Sequence, residues 1–157
     1  VDPKTQRVID AGAALGVEVA PHTFPAETRT AADAASAVGC DVAQIVKSLV
    51  FGSDRGPLLF LVSGANRLDP TLAARAAGVD ELTKADAGEA KSATGFSIGA
   101  TPPFGHTNQL PTFMDEDLLL HSEVWAAAGR PDSVFPVAAS ALQEATGAVV
   151  CALREKS

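Results

Sequence analysis

The chain is poor in the residues that staple, anchor or metallate a protein. It has only two cysteines in 157 residues, Cys40 and Cys151, far apart and outside any CxxC-type pair, so both read as small hydrophobes in a reducing compartment. No apolar run approaches the roughly 20 residues that cross a bilayer. The opening residues VDPKTQR are polar and pass into an amphipathic pattern, unlike the basic start and apolar middle of a signal peptide. The expected location is therefore cytoplasmic, with no membrane contact. The three histidines, His22, His106 and His121, are scattered and have no carboxylate at ligand spacing, so no metal is expected. A GxSxG elbow, a P-loop, a GxGxxG turn and an HExxH helix are all absent. Positive charge is scarce too: 12 Lys and Arg against 19 Asp and Glu give a net charge of −7 and a pI near 4.8. That balance excludes a protein that grips long nucleic acid through many phosphates, DNA above all, and confines any nucleic-acid contact to a local basic patch.

What is present suits one globular domain spanning residues 1–157. Hydrophobic residues make up 46% and charged ones 20%, enough to bury a core without disulfide or metal. Residues 4–15 carry apolar positions at helical spacing before Gly16. Residues 18–24 look extended, with Pro21 confining them to an edge. Thr30 caps an Ala-rich helix that runs to Gly39, and a short turn follows at 41–44. The strongest strand signals are IVKSLVF at 45–51 and PLLFLVS at 57–63, joined by a Gly-rich turn, and they predict a hairpin. Asp69 and Pro70 open a helix that reaches Gly78, and residues 86–94 form another. Further strands are expected at 112–115, 124–127, 134–137 and 148–153, with a helix at 139–146. Helices interspersed among clustered hairpin strands suggest a mixed α/β (α+β) fold and not a regular doubly wound one.

Two features carry chemistry. In the first hairpin strand Ile45, Lys47, Leu49 and Phe51 share one face, and Val46, Ser48 and Val50 share the other. Lys47 is the odd residue on an apolar face: either a snorkelling side chain at a sheet edge or a charge held inside a cleft. The second feature is the Gly- and Pro-rich stretch GFSIGATPPFGH at 95–106, where Gly99-Ala100-Thr101-Pro102-Pro103 can present backbone amides to an anion, as an oxyanion hole does. Gly99 has no side chain and lets a substrate approach its backbone. A G-x-x-x-P string alone is equally well explained as ordinary turn chemistry. The carboxylate run Asp115-Glu116-Asp117 offers Asp115 as a general-base candidate, although such runs usually face solvent.

Taken together, QIVKSLVF at 44–51, LFLVSGANRLD at 59–69 and GFSIGATPPFG at 95–105 occur in the order found in one family. On these motifs the chain resembles the YbaK/ProX aminoacyl-tRNA deacylases, relatives of the editing insertion domain of bacterial prolyl-tRNA synthetase, over nearly its whole length. The resemblance implies a curved mixed sheet approaching a barrel, with helices packed outside. It also implies hydrolysis of the ester in mischarged tRNA, with tRNA-Pro carrying alanine, cysteine or another small amino acid as the expected substrate. Lys47 then engages the RNA terminus, and Gly99 and Pro103 belong to the G-x-x-x-P loop near the ester carbonyl. No metal or organic cofactor is implied. The expected partner is the tRNA acceptor end, with a synthetase or elongation factor lending further RNA affinity. Family practice also points to hydroxyl or thiol groups of the substrate assisting the reaction, which suits the lack of a triad.

Further substrate-binding candidates are Ser63, Gly64 and Asn66 after the second strand, Arg67 as a phosphate contact, Phe51 or Phe104 as an apolar wall, the loop residues Ala100, Thr101 and Pro102, and Asp115. Each has a plain structural alternative as turn former, surface charge or core residue. Ser48 is given no catalytic role. Lys47, Arg67, Arg75, Lys84 and Lys91 are the cations expected to gather near the mouth. Two other readings stand beside the deacylase: a non-catalytic module that binds a nucleotide or aminoacyl end on the same fold, and a purely structural one in which Lys47 is an edge-strand lysine and the loop mere punctuation.

Overall fold

A computed structural model describes residues 2–24 and 30–156, so both terminal residues of the expected 1–157 domain lie outside the described residues. In chain order the elements are α1 (Pro3–Ala14), β1 (His22–Thr23), α2 (Ala31–Val38), β2 (Val46–Gly52), β3 (Leu58–Ser63), α3 (Pro70–Ala77), β4 (Thr83–Lys84), α4 (Ala87–Thr94), β5 (Thr112–Asp115), β6 (Glu123–Arg130), β7 (Ser133–Ala138), α5 (Ala139–Thr146) and β8 (Val149–Cys151). Single 3-10 turns lie at Val42–Gln44 and Glu116–Leu120.

The helices α1 to α4 begin where side chains satisfy their first amides, while α5 starts from Ala138 without a side-chain cap. Asp2 accepts from Lys4 N at 2.8 Å ahead of Pro3, and the Thr30 hydroxyl accepts from Asp33 N at 3.1 Å. Asp69 accepts from Thr71 N and Leu72 N. Asp86 and Glu89 form a reciprocal capping box.

β2 and β3 pair antiparallel from Val46 opposite Ser63 to Phe51 opposite Leu58. Apolar residues fill β3 because both its faces are covered. Leu59 and Leu61 join Val46, Val50, Met114 and Phe135 in the larger core. Phe60 and Val62 face a second cluster with Phe51, Phe113 and the α3 residues Ala73 and Ala74. Phe60 is fully buried between Phe51, edge-on at 5.7 Å, and Phe113, stacked at 5.2 Å, a position where truncation to alanine costs about 3–5 kcal/mol.

The sheet is mixed, as expected, but divides in two. One sheet runs β4-β2-β3-β5-β8 and the other β1-β7-β6. The β3–β5 and β5–β8 pairs are parallel and the other strand pairs antiparallel. A parallel bridge, Ile45 to Trp125, links the two sheets, and among the described residues they do not close into a barrel. The expected extended run at 18–24 reduces to β1. The two-residue strand β4 was not anticipated.

The split leaves half of β2 exposed along one edge. β4 pairs only with Phe51 and Gly52, and the Val50 carbonyl accepts from Ala85 N on that side. By strand alternation, the backbone groups of Val46 and Ser48 face the same free edge.

Candidate active site

Between the free edge of β2 and the second sheet lies a cleft of about 310 Å³. Lys47, Ser48 and Leu49 line it from β2, Ile98, Gly99 and Thr101 from the central loop, and Thr30, Ala31 and Ala34 from the start of α2. Trp125, Ala127 and Arg130 of β6, Pro131 of the following turn, and Ser133 and Val134 of β7 complete the wall. Among the described residues that line it, none is a carboxylate or an imidazole.

Lys47 is half-buried on the α3 face of β2, opposite Val62. Its ammonium donates to the Asn66 carbonyl. Burial lowers its pKa from the usual lysine range, the positive charges of Arg67 and Lys84 add to the fall, and Asp115 opposes it. The acceptor is held in turn, because Asn66 Nδ2 donates to Asp115 Oδ2 at 2.8 Å and to Asp117 Oδ2 at 2.9 Å. Asp115 is fully buried and also accepts from Ser63 N at 3.1 Å and Asp117 N at 3.0 Å. The carboxylate run therefore does not simply face solvent. Its first member is the hub of a network one layer behind Lys47 and is not among the residues that line the cleft, a placement that suits support of the Asn66 turn.

Several contacts fix the loop. Lys4 Nζ donates to Gly95 O at 2.6 Å and Arg7 Nη2 to Thr107 Oγ1 at 3.2 Å, while both cations lie over the buried Phe96 ring. His106 is largely buried and its Nε2 lies 2.6 Å from the Pro102 carbonyl, which requires that nitrogen to donate. Burial lowers the His106 pKa. Gly99 has φ +86°, and a β-carbon there would meet no atom within 4 Å: glycine is needed for the backbone angle, and the space beside it is open. The Ala100 amide is committed to Ser97 O at 3.0 Å and prolines 102 and 103 have no N–H, so within residues 99–103 the amides left to act as oxyanion donors are those of Gly99 and Thr101.

Of the residues expected at the site, Lys47, Gly99 and Thr101 come together on the cleft. Ala100, Pro102, Pro103 and Phe104 are buried behind the loop surface, with Phe104 packed on Phe135 at 5.8 Å. Phe51 lies in the second cluster, away from the cleft wall. The Ser63 hydroxyl donates to Ala43 O at 2.8 Å, and Ser63 supports the Asp115 network. Gly64 is a packing position: its added β-carbon would sit 2.5 Å from Val42 O and 2.9 Å from Ala31 Cβ. Arg67 lies in a neighbouring surface groove with Arg154 and Lys156. Arg75 is in a different groove beside Asp80 and Glu81, and Lys91 is exposed on α4, so the five expected cations do not share one pocket.

Sequence reasoning missed Ser48, Trp125 and Arg130. A lone tryptophan in a predicted strand was the one available signal. Arg130 lines the cleft but is held by Asp2 at 2.8 Å and Asp132 at 3.0 Å.

The chain is similar in sequence and in fold to known proteins. Residues 25–145, which include Lys47 and the whole central loop, match the model of the aminoacyl-tRNA editing domain. A protein of Enterococcus faecalis described as a candidate Cys-tRNA(Pro)/Cys-tRNA(Cys) deacylase, EbsC, is 26% identical over 118 residues, 74% of this chain and 72% of its own. A crystal structure described as a candidate trans-editing enzyme for prolyl-tRNA synthetase is 46% identical, with TM-score 0.94, over 99% of both chains. That of a hypothetical protein is 29% identical, with TM-score 0.87, over 95% of this chain and 99% of its own. With a strand lysine and a G-x-x-x-P loop converging on one cleft inside the matched span, the chain belongs to the aminoacyl-tRNA editing domain family.

Proposed function

We propose that the cleft takes the aminoacylated 3′ end of tRNA-Pro carrying a wrong, small amino acid and hydrolyses the ester that joins them. The observation that carries this reading is the convergence of Lys47 and the Gly99 loop on one small cleft. An ammonium has three N–H donors. One of those of Lys47 is used on Asn66 O, and the other two serve the terminal phosphate or ester oxygens of the RNA. The ester carbonyl sits against Gly99, where an approaching amide stabilises the developing oxyanion; loss of one such donor costs on the order of 2.7–4 kcal/mol in comparable sites. Water adds to the carbonyl carbon, the bond from that carbon to the ribose oxygen breaks, and the proton from water ends on the ribose hydroxyl, releasing the free amino acid.

The described lining offers no carboxylate or imidazole to take the water proton, which supports assistance by a group of the substrate itself. No organic cofactor or metal enters the reaction as proposed. Local contact with the acceptor end also suits a chain of net charge −7, with additional RNA affinity supplied by a synthetase or elongation factor in the cytoplasm. Among the described residues no helix is long and apolar enough to cross a membrane. The whole of residues 1–157 acts as one editing unit in this reading. The test is timed release of labelled amino acid from correctly charged and mischarged tRNA-Pro by wild type and Lys47→Ala. Release from mischarged species only, lost in the folded variant, is expected; a saturable tRNA complex with no release from any species would replace the hydrolase with a binding module.

A further inference from the structure

Asn66 joins the cleft to a second hollow. Its carbonyl accepts from the ammonium of the cleft residue Lys47, and the same residue lines a surface groove of about 670 Å³ with Ala65, Arg67, Arg154, Glu155 and Lys156. Three cations meet one carboxylate there, in a chain where acids outnumber bases 19 to 12. The groove is built on paired backbone. Leu68 and Arg154 form an antiparallel bridge, Glu155 N donates to Arg67 O at 2.8 Å, and Asp69 N donates to Leu153 O at 2.8 Å. Leu68 and Leu153 are buried in the second cluster, which pins both segments and with them the positions of the two arginines.

These charges have little to do inside the protein. All three are exposed, and among the described residues Arg67 and Lys156 have no ion-pair partner. Arg154 Nη1 lies 3.8 Å from Asp117 Oδ2, an oxygen already held by Asn66 Nδ2 at 2.9 Å, and its side chain is 67% exposed, so that pair contributes little. Like charges gathered in one groove repel unless an anion neutralises them, and the planar fork of arginine suits a phosphate. Which anion follows from position. Arg67 is the residue after Asn66, and its charge is felt at Lys47. A strand whose aminoacylated nucleotide is seated at Lys47 brings its preceding phosphates onto the surface that adjoins that lysine, and on the Asn66 side that surface is this groove. Three cations spread over two segments suit a chain of phosphates better than a single free one.

Resting on the deacylase reading above, we infer that the groove of Arg67, Arg154 and Lys156 is an RNA-binding subsite: it holds backbone phosphates of the nucleotides that precede the aminoacylated one. Such contacts position a nucleic acid without reading its sequence. They are the same for correctly and wrongly charged tRNA, so the groove governs capture of the RNA and not the ester step.

The experiment compares wild type with Arg67→Gln/Arg154→Gln and with Arg75→Gln/Lys91→Gln, which removes equal charge elsewhere on the surface. Binding of uncharged tRNA-Pro is measured from about 50 to 200 mM salt. kcat and KM are measured on mischarged tRNA-Pro and on the matching aminoacyl-adenosine, which has no phosphate. The groove variant is expected to lose about 1.4 from the slope of log K against log salt, about 0.7 for each single-strand contact. Its KM on tRNA should rise by about 10-fold or more with kcat kept, and it should hydrolyse aminoacyl-adenosine as wild type does. An unchanged slope and KM overturn the inference, as does an equal effect in Arg75→Gln/Lys91→Gln, which would assign the change to net charge alone. An equal loss on aminoacyl-adenosine also overturns it and makes the groove a support of the Asn66 turn. If wild type hydrolyses no ester, the deacylase reading falls, and the slope for uncharged tRNA still decides the groove.

Discussion

Replacing Asp115 with asparagine separates a supporting carboxylate from a reacting one. Oδ2 of Asp115 accepts from Ser63 N and Asn66 Nδ2, and Oδ1 accepts from Asp117 N. An amide has one oxygen. In its better orientation asparagine keeps the first two bonds in neutral form and turns an NH2 toward the Asp117 amide; in the other it loses two. At about 1.5–3 kcal/mol for a hydrogen bond to a charged group, together with the buried donor left facing a donor, the loss is about 2–4 kcal/mol. For a chain of this length each kcal/mol moves the thermal midpoint by about 2–4 °C, so Asp115→Asn should melt about 4–16 °C below wild type. Thermal and urea unfolding, followed by circular dichroism, read this directly. Deacylation measured well below the midpoint should fall several-fold only, because the Asn66 carbonyl that holds Lys47 is loosened and no reacting group is removed. A variant that melts like wild type yet loses deacylation by about 100-fold or more, the scale of a missing general acid or base, would refute this reasoning and return Asp115 to the chemistry.

The remaining predictions concern the lysine and the loop. Lys47 has its pKa lowered in the folded protein, so between that value and the unfolded one the unfolded chain binds more protons and stability rises with pH. Deacylation, corrected for spontaneous ester hydrolysis, should decline over the same window as the ammonium is lost, and in Lys47→Arg any activity that remains should lose that limb. At Gly99, φ +86° with open space around it assigns the cost of Gly99→Ala to the backbone alone. That cost is about 1–2 kcal/mol, less for Gly99→Asn; calorimetry showing the two variants equally stable would contradict it. His106→Ala removes the donor to the Pro102 carbonyl and should reduce kcat, with recovery in His106→Gln, which keeps an N–H. Acidification through pH 6.5 should destabilise wild type down to the lowered pKa of His106, since the unfolded chain binds the extra proton there, and this contribution should vanish in His106→Gln.

How far the sequence foretold this molecule depended on the range of the interaction. The caps at Thr30 and Asp69 and the β2–β3 hairpin were legible because each is set by residues within a few positions. The division into two sheets was not, because it depends on where β6 and β7 turn away from β2, near the bridge of Ile45 to Trp125. β4 was missed because two exposed residues give no periodic signal. The carboxylates at 115–117 read as a solvated run, yet Asp115 is buried because β5 carries it under the Ser63–Asn66 turn. At the site, Lys47 and Gly99 stood out as a charge and a flexible point in places that ordinarily have neither. Ser48 did not, since one serine in a strand is unremarkable until the strand is seen to border the cleft.

Lys47 and Ser48 are adjacent in the chain and face opposite sides of one strand. The two side chains thereby have separate surroundings: Lys47 reaches the Asn66 carbonyl on the α3 side, while Ser48 shares the face of Val46 and Val50, which belong to the larger core. A substitution at position 48 therefore leaves the Lys47 contact in place. A one-residue slip of β2 against β3 would turn both side chains to the other face, taking the Lys47 ammonium away from Asn66 and setting a charge against the larger core. Such a strand tolerates point mutation better than a change of register, so related chains should vary in residue identity along β2 while keeping its pairing with β3.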